Sequence, residues 1–235
     1  MFLNVIILNV KKYITLNIIL KVILLAIMLA SFLVMEITWQ KEGETITLGY
    51  LRAICKSIIG LVILILLLFN SNKYKNFYQV MMTCSQISFI IGDILINFNF
   101  VVGSAFFIIG HIILMIYMIK NNKPTKLNFI ILGITYFAFC CINIPLWIYN
   151  KKSLQSCAFL FYSIIISALM AFSIKEKKSI VISILLFIIS DALLMINIGL
   201  NNTVMFGHFL RFIYYLSVSL LASTHEEKKI QSTTD

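Results

Sequence analysis

Two of the chain's three aspartates stand inside apolar runs of nearly the same wording. One is Phe89-Ile90-Ile91-Gly92-Asp93-Ile94-Leu95 and the other Phe187-Ile188-Ile189-Ser190-Asp191-Ala192-Leu193; the third aspartate is the terminal Asp235. A carboxylate inside a membrane-length apolar segment costs about 2.5–3.5 kcal/mol even on the milder insertion scales, so such groups are kept for a task. Paired carboxyl groups can divide acid–base work: one delivers a proton while the other, ionised, stabilises a cation or activates water. Paired intramembrane acids can also pass protons along a transport path. Apolar surroundings favour the neutral acid and a neighbouring cation favours the carboxylate, so the placing of cations decides which aspartate does what.

The similarity extends past the aspartates. A short turn leads from Asp93 to Gly110-His111 and from Asp191 to Gly207-His208, with Asp-to-His spacings of 18 and 17 residues. Arg211, Lys56 and the Tyr214-Tyr215 pair are the other polar or amphipathic groups within apolar stretches that could join a site. Each also has a plainer reading. Arg211 can neutralise Asp191 as a structural ion pair, Lys56 can extend its ammonium to the interface, and the histidines can be hydrogen-bonded core residues. The remaining aromatic residues of the spans read as packing or interfacial belt, and Lys21 has no evident partner.

The elements that must position these groups follow from composition. The chain has 235 residues, 61% of them hydrophobic and only 12% charged, with mean hydropathy +1.00. A soluble domain is about 45–50% apolar and about 25% charged, so this is an all-α integral membrane protein forming one polytopic domain over 1–235. The formal charge of +10 does not indicate nucleic acid. Its lysines fall in short clusters between apolar runs, such as Lys11/Lys12, Lys73/Lys75, Lys151/Lys152 and Lys228/Lys229, as topology signals do. The five cysteines have neither disulfide nor zinc spacing. The opening Met1–Leu8 lacks a basic start and a cleavage site, and reads as an irregular extension.

A bilayer core of about 30 Å takes about 20 apolar residues per helix, which gives about eight transmembrane helices. They are Tyr13–Met35, Ala53–Phe69, Phe77–Asn97, Val101–Ile119, Leu127–Ile148, Leu154–Ile174, Ser179–Leu200 and Thr203–Ser223. The lysine bias places the N- and C-termini on the cytoplasmic side. The third and fourth, and the seventh and eighth, form tight hairpins. If these duplicate one another, the halves 13–119 and 127–223 are two parallel four-helix repeats. A rise of 1.5 Å per residue puts Asp191 and Arg211 about 18 Å, and Asp93 about 24 Å, from the inner helix ends, all in the outer half of the bilayer. The sequon Asn201-Asn202-Thr203 sits in a turn too tight to be a good glycosylation acceptor.

These motifs resemble the YhhN family of membrane proteins, whose animal members are lysoplasmalogenases. The resemblance rests on Arg52 and Lys56, then Gly92-Asp93-Ile94-Leu95, then Gly103, Phe106, Phe107 and His111. It continues through Phe187, Ser190-Asp191 and Tyr214-Tyr215. The chain departs from the family pattern at Ser57, Leu114 and Val218, where proline, tyrosine and glutamine are usual. The resemblance implies hydrolysis of the vinyl ether of a lysoplasmalogen to a fatty aldehyde and a glycerophospho-alcohol, with a lysophospholipid drawn from the bilayer and no cofactor. It implies Asp93 and Asp191 as the catalytic pair, and Lys56, His111, His208, Arg211, Tyr214 and Tyr215 as substrate-binding groups. Because Arg211 is level with Asp191, Asp191 is expected to be the carboxylate and Asp93 the acid. The expected location is a bacterial inner or plasma membrane. Two other readings stand beside this one: a proton-coupled transporter using the same aspartates, and haem held by His111 and His208.

Overall fold

A computed structural model describes residues 2–40, 46–70, 77–149, 154–199 and 204–223, with side chains placed within 19–38, 47–68, 77–148, 158–197 and 207–223. The lysine clusters at 73/75, 151/152 and 228/229 and the sequon at 201–203 lie outside the described residues, and the side chains of Lys11 and Lys12 outside the described side chains. Every described element is a helix: α1 (Phe2–Gln40), α2 (Ile46–Asn70), α3 (Phe77–Leu95), α4 (Phe100–Asn121), α5 (Lys126–Tyr149), α6 (Leu154–Ser173), α7 (Lys178–Gly199) and α8 (Val204–Ser223). Each apolar segment read from the sequence corresponds to one of them.

The departures lie at the start of the chain. The stretch expected to be irregular is helical from Phe2, since Phe2–Lys12 contains neither glycine nor proline to stop a helix. Helix α2 begins at Ile46 rather than Ala53, so Arg52 is a buried helical residue and not part of an outer loop. At Ser57, where a proline would remove the backbone N–H, the hydroxyl donates to the Ala53 carbonyl at 2.7 Å and α2 continues. Leu114 and Val218, the other two departures from the family pattern, are buried in the apolar core.

Among the described residues, five helices contain a stretch long and apolar enough to cross a membrane: Ile19–Thr38, Thr47–Leu68, Phe100–Asn121, Lys126–Ile148 and Lys178–Asn197. Helix α3 is not among them, carrying Gln79, Ser85, Gln86, Ser88 and Asp93 within 19 residues. Several helix pairings recur between the first four helices and the last four, although among the described residues α5 also packs on α7 and α1 on α8 without a matching contact. The first pairs with the second, the third forms a hairpin with the fourth, and α4 against α6 mirrors α8 against α2. The first helix of each half, α1 and α5, sits at the edge with apolar side chains such as Leu29 and Phe137 exposed, as suits a lipid-facing surface.

Serine hydroxyls tie the hairpins together. Ser85 and Ser88 of α3 donate to the carbonyls of Gly110 and Phe106 in α4, at 3.0 and 2.7 Å. Ser190 donates to Leu210 at 3.1 Å, while Ser183 and Ser217 each donate to the other's carbonyl at 2.7 and 2.8 Å. In an apolar medium such small polar groups both permit close helix approach and find their partners across the interface. Gly110 serves the same approach, since any Cβ there would collide with the Phe89 ring.

Candidate active site

Asp93 lies two residues before the end of α3, and Asp191 eight residues before the end of α7. Both line one cavity, whose open space counted together with its mouth is about 730 Å³. Lys56 comes from α2, and Arg211, Tyr214 and Tyr215 from α8. Ile96, Phe100, Phe107, Phe159, Leu194 and Leu210 supply an apolar remainder. Carboxyl groups, cations and phenols share one space with a surface fit for a hydrocarbon chain.

Each aspartate is held by a tyrosine from another helix. Tyr214 Oη donates to Asp93 Oδ2 at 2.9 Å. Tyr162 Oη of α6 donates to Asp191 Oδ2 at 3.0 Å. Lys56 and Asp93, both buried, lie close enough for each to feel the other's charge. Tyr214 is braced edge-on by Phe107 and Phe187, with ring centroids 5.9 and 5.4 Å away, an arrangement that suits aromatic quadrupoles. Tyr215 lines the cavity with its hydroxyl buried and without a hydrogen-bond partner among the described residues.

Arg211 pairs with a carboxylate that the sequence did not suggest, Glu36 of α1. Its Nε and Nη2 donate to Glu36 Oε1 and Oε2 of α1, each at 2.7 Å. His208, one helical turn earlier on α8, also meets Glu36 through Nδ1. The i, i+3 spacing places His208 and Arg211 on one face of α8, and that face meets the last turns of α1. An ion pair forms with the charge across that seam, even though Asp191 lies at a similar level on α7. The arginine therefore lines the cavity while its charge is met from outside it.

The two histidines are not structural counterparts. Ser190, immediately before Asp191, bonds to Leu210, two residues past His208, so His208 stands at the level of Asp191. Ser85, eight residues before Asp93, bonds to Gly110, next to His111. That leaves His111 about 12 Å along the hairpin from Asp93 at the helical rise. His111 is fully buried, with Nδ1 donating to the Phe107 carbonyl at 2.7 Å and Nε2 unpartnered among the described residues. Its ring packs against Phe89, Phe187 and Tyr162. Neither histidine lines the cavity, and the haem reading, which needs both rings to face one space, is not favoured by this placement.

Lys56, Asp93, Asp191, Arg211, Tyr214 and Tyr215 thus meet at one cavity, while His111 and His208 stand behind its wall. Two groups escaped the sequence reading. Tyr162 looks like any aromatic of an apolar run, and the one available signal is that α6 occupies in its half the place that α2, with Lys56, occupies in the other. Glu36 lies directly after the apolar stretch ending at Met35 and reads as the end of a span.

The YhhN family model matches residues 51–224. Neither a curated protein nor a solved structure matches the chain.

Proposed function

The chain belongs to the YhhN family, and from that premise we propose that it is a multi-pass membrane hydrolase cleaving the vinyl ether of lysoplasmalogens to a fatty aldehyde and a glycerophospho-alcohol. The observation that carries the reading is the shared cavity of Asp93 and Asp191, with cations and a predominantly apolar lining in the same space.

Asp191, facing the Tyr162 phenol, is the proton donor; Asp93, facing Lys56, is the carboxylate. This reverses the roles expected from the sequence, because the cation beside an aspartate is Lys56 and Arg211 belongs to Glu36. Asp191 delivers a proton to the β-carbon of the vinyl ether, and the adjacent carbon becomes an oxocarbenium ion. Asp93 stabilises that ion and takes a proton from the water that captures it, leaving a hemiacetal. Collapse of the hemiacetal restores both groups: Asp93 protonates the departing glycerol oxygen, and Asp191 accepts the hydroxyl proton as the aldehyde forms. One water is consumed per ether cleaved. The division of labour is that of two carboxyl groups acting on a glycosidic oxocarbenium ion. Lys56 and Arg211 hold the phosphate of the headgroup, in keeping with the anion chemistry of their side chains.

All eight helices span the bilayer in this reading, as two parallel repeats, 13–119 and 127–223, with both termini cytoplasmic. The lysine bias and the helix pairings that recur between the two halves support it. Labelling from outside at Asn99→Cys but not at Lys123→Cys tests the orientation.

The activity itself is tested by incubating the purified protein with lysoplasmenylethanolamine. Aldehyde release is expected, with Asp93→Asn and Asp191→Asn both at background. Proton-linked uptake into vesicles that depends on Asp93, without aldehyde release, would replace the enzyme with a transporter.

A further inference from the structure

Among the described residues, helix α1 meets the cavity through side chains of α8 that belong to its wall. Arg211 lines the cavity and is gripped along its Nε–Nη2 edge by Glu36. Tyr215, beside it in the lining, packs edge-on against Phe32 of α1 with centroids 6.1 Å apart. On α2, Arg52 Nη2 donates to the Thr38 carbonyl at 3.0 Å, so the last turns of α1 are held from both α8 and α2. Glu36 precedes the matched residues 51–224, so the family match says nothing of it.

A two-point carboxylate grip fixes the plane of a guanidinium, whereas one hydrogen bond leaves it free to turn. Gly207 makes room for the result, since a Cβ there would come within 3.0 Å of Arg211 Nη1. We propose that Glu36 is a positioning residue for anion recognition: through Arg211 it sets the orientation of the guanidinium at the cavity, and thereby the preference for an amphiphile bearing a phosphate over one ending in a neutral glycerol. Helix α1 is then part of the binding site without contacting the ligand. The inference rests on the lysophospholipid reading for its ligand class, but not on the hydrolytic step.

The test measures binding of two ligands that have no vinyl ether to cleave, a saturated 1-alkyl lysophosphoethanolamine and the corresponding 1-alkylglycerol, to the full chain in detergent. The wild type should prefer the phosphate-bearing lipid. Glu36→Gln should weaken that lipid by about tenfold, the loss of part of a charge-assisted contact, and leave the alkylglycerol unchanged. Phe32→Ala loosens α1 without touching the Arg211 pair; it should lower thermal stability and retain the preference. The proposal is overturned if the wild type binds neither lipid or shows no preference, if Glu36→Gln binds both as the wild type does, or if Phe32→Ala erases the preference equally. A wild type that shows the binding split yet releases no aldehyde from lysoplasmenylethanolamine would instead overturn the hydrolase reading alone.

Discussion

The α3/α4 hairpin carries Asp93 close to a helix end, with a lysine from α2 within electrostatic reach and a tyrosine from α8 donating to it. The α7/α8 hairpin carries Asp191 well inside its helix, bound by a tyrosine from α6. Helix α2 brings an ammonium within electrostatic reach of Asp93, and α6 brings a phenol that donates to Asp191. Two carboxyl groups offered to the same cavity are thereby made unequal. The lesson is that two similar hairpins can present their carboxyl groups to one cavity in different company, here Lys56 against Tyr162.

The sharpest way to break the comparison is to supply a substrate that needs no carbon protonation. A mixed acetal with a good phenolate leaving group reaches the same oxocarbenium ion without a strong acid. Loss of a general acid or base is worth about 10²–10⁴-fold. On the vinyl ether both Asp93→Asn and Asp191→Asn should lose at least that much, whereas on the activated acetal Asp191→Asn should recover most of its rate and Asp93→Asn none. Recovery by Asp93→Asn instead would exchange the roles.

The tyrosines give the next largest contrast. A hydrogen bond to a charged group contributes about 1.5–3 kcal/mol and one to a neutral group about 0.5–1.5 kcal/mol. If Asp93 is the carboxylate and Asp191 the neutral acid, as proposed, Tyr214→Phe should reduce kcat by more than Tyr162→Phe. Equal losses in steady-state assays would mean that the two aspartates share one charge state.

The smallest effects concern the hairpins as packing units. Gly110→Ala forces the buried Phe89 ring to move, and overpacking of this kind costs about 1–3 kcal/mol. Gly207→Ala would come no nearer than 3.0 Å, to Arg211 Nη1, so the neighbour need give only by a few tenths of an ångström. Thermal unfolding in detergent should fall clearly for the first and only slightly for the second, although both glycines precede a histidine. A larger fall for Gly207→Ala would place the tighter contact in the other hairpin.

Most of the helical layout was legible in the sequence, because apolar length and lysine punctuation are both local signals. Six of the eight expected site residues also meet at the cavity. The rest depended on distances along and between helices that sequence spacing does not encode. Asp-to-His spacings of 18 and 17 residues suggest equivalent histidines, yet α3 ends two residues past Asp93 and α7 eight past Asp191, so the same spacing spends its residues at different heights. Arg211 and Asp191 share a level, but the face of α8 that carries Arg211 turns to α1, and no pattern within α8 announces that Glu36 waits there. Tyr162 was hidden by its type, since a tyrosine in an apolar run is ordinarily packing.

The polar load of α3 bears on how the protein enters the membrane. An insertion machinery sorts segments by transfer free energy as they emerge, and α3 falls short of the apolarity that α2 and α4 have on either side. Its glutamines, serines and aspartate become tolerable once their partners arrive, and Ser85 and Ser88 find theirs in α4, the next segment synthesised. Of these polar groups of α3, Asp93 lines the cavity while Ser85 and Ser88 bond to α4, so the residue that equips the helix for chemistry adds to a polar load that its hairpin partner helps to answer.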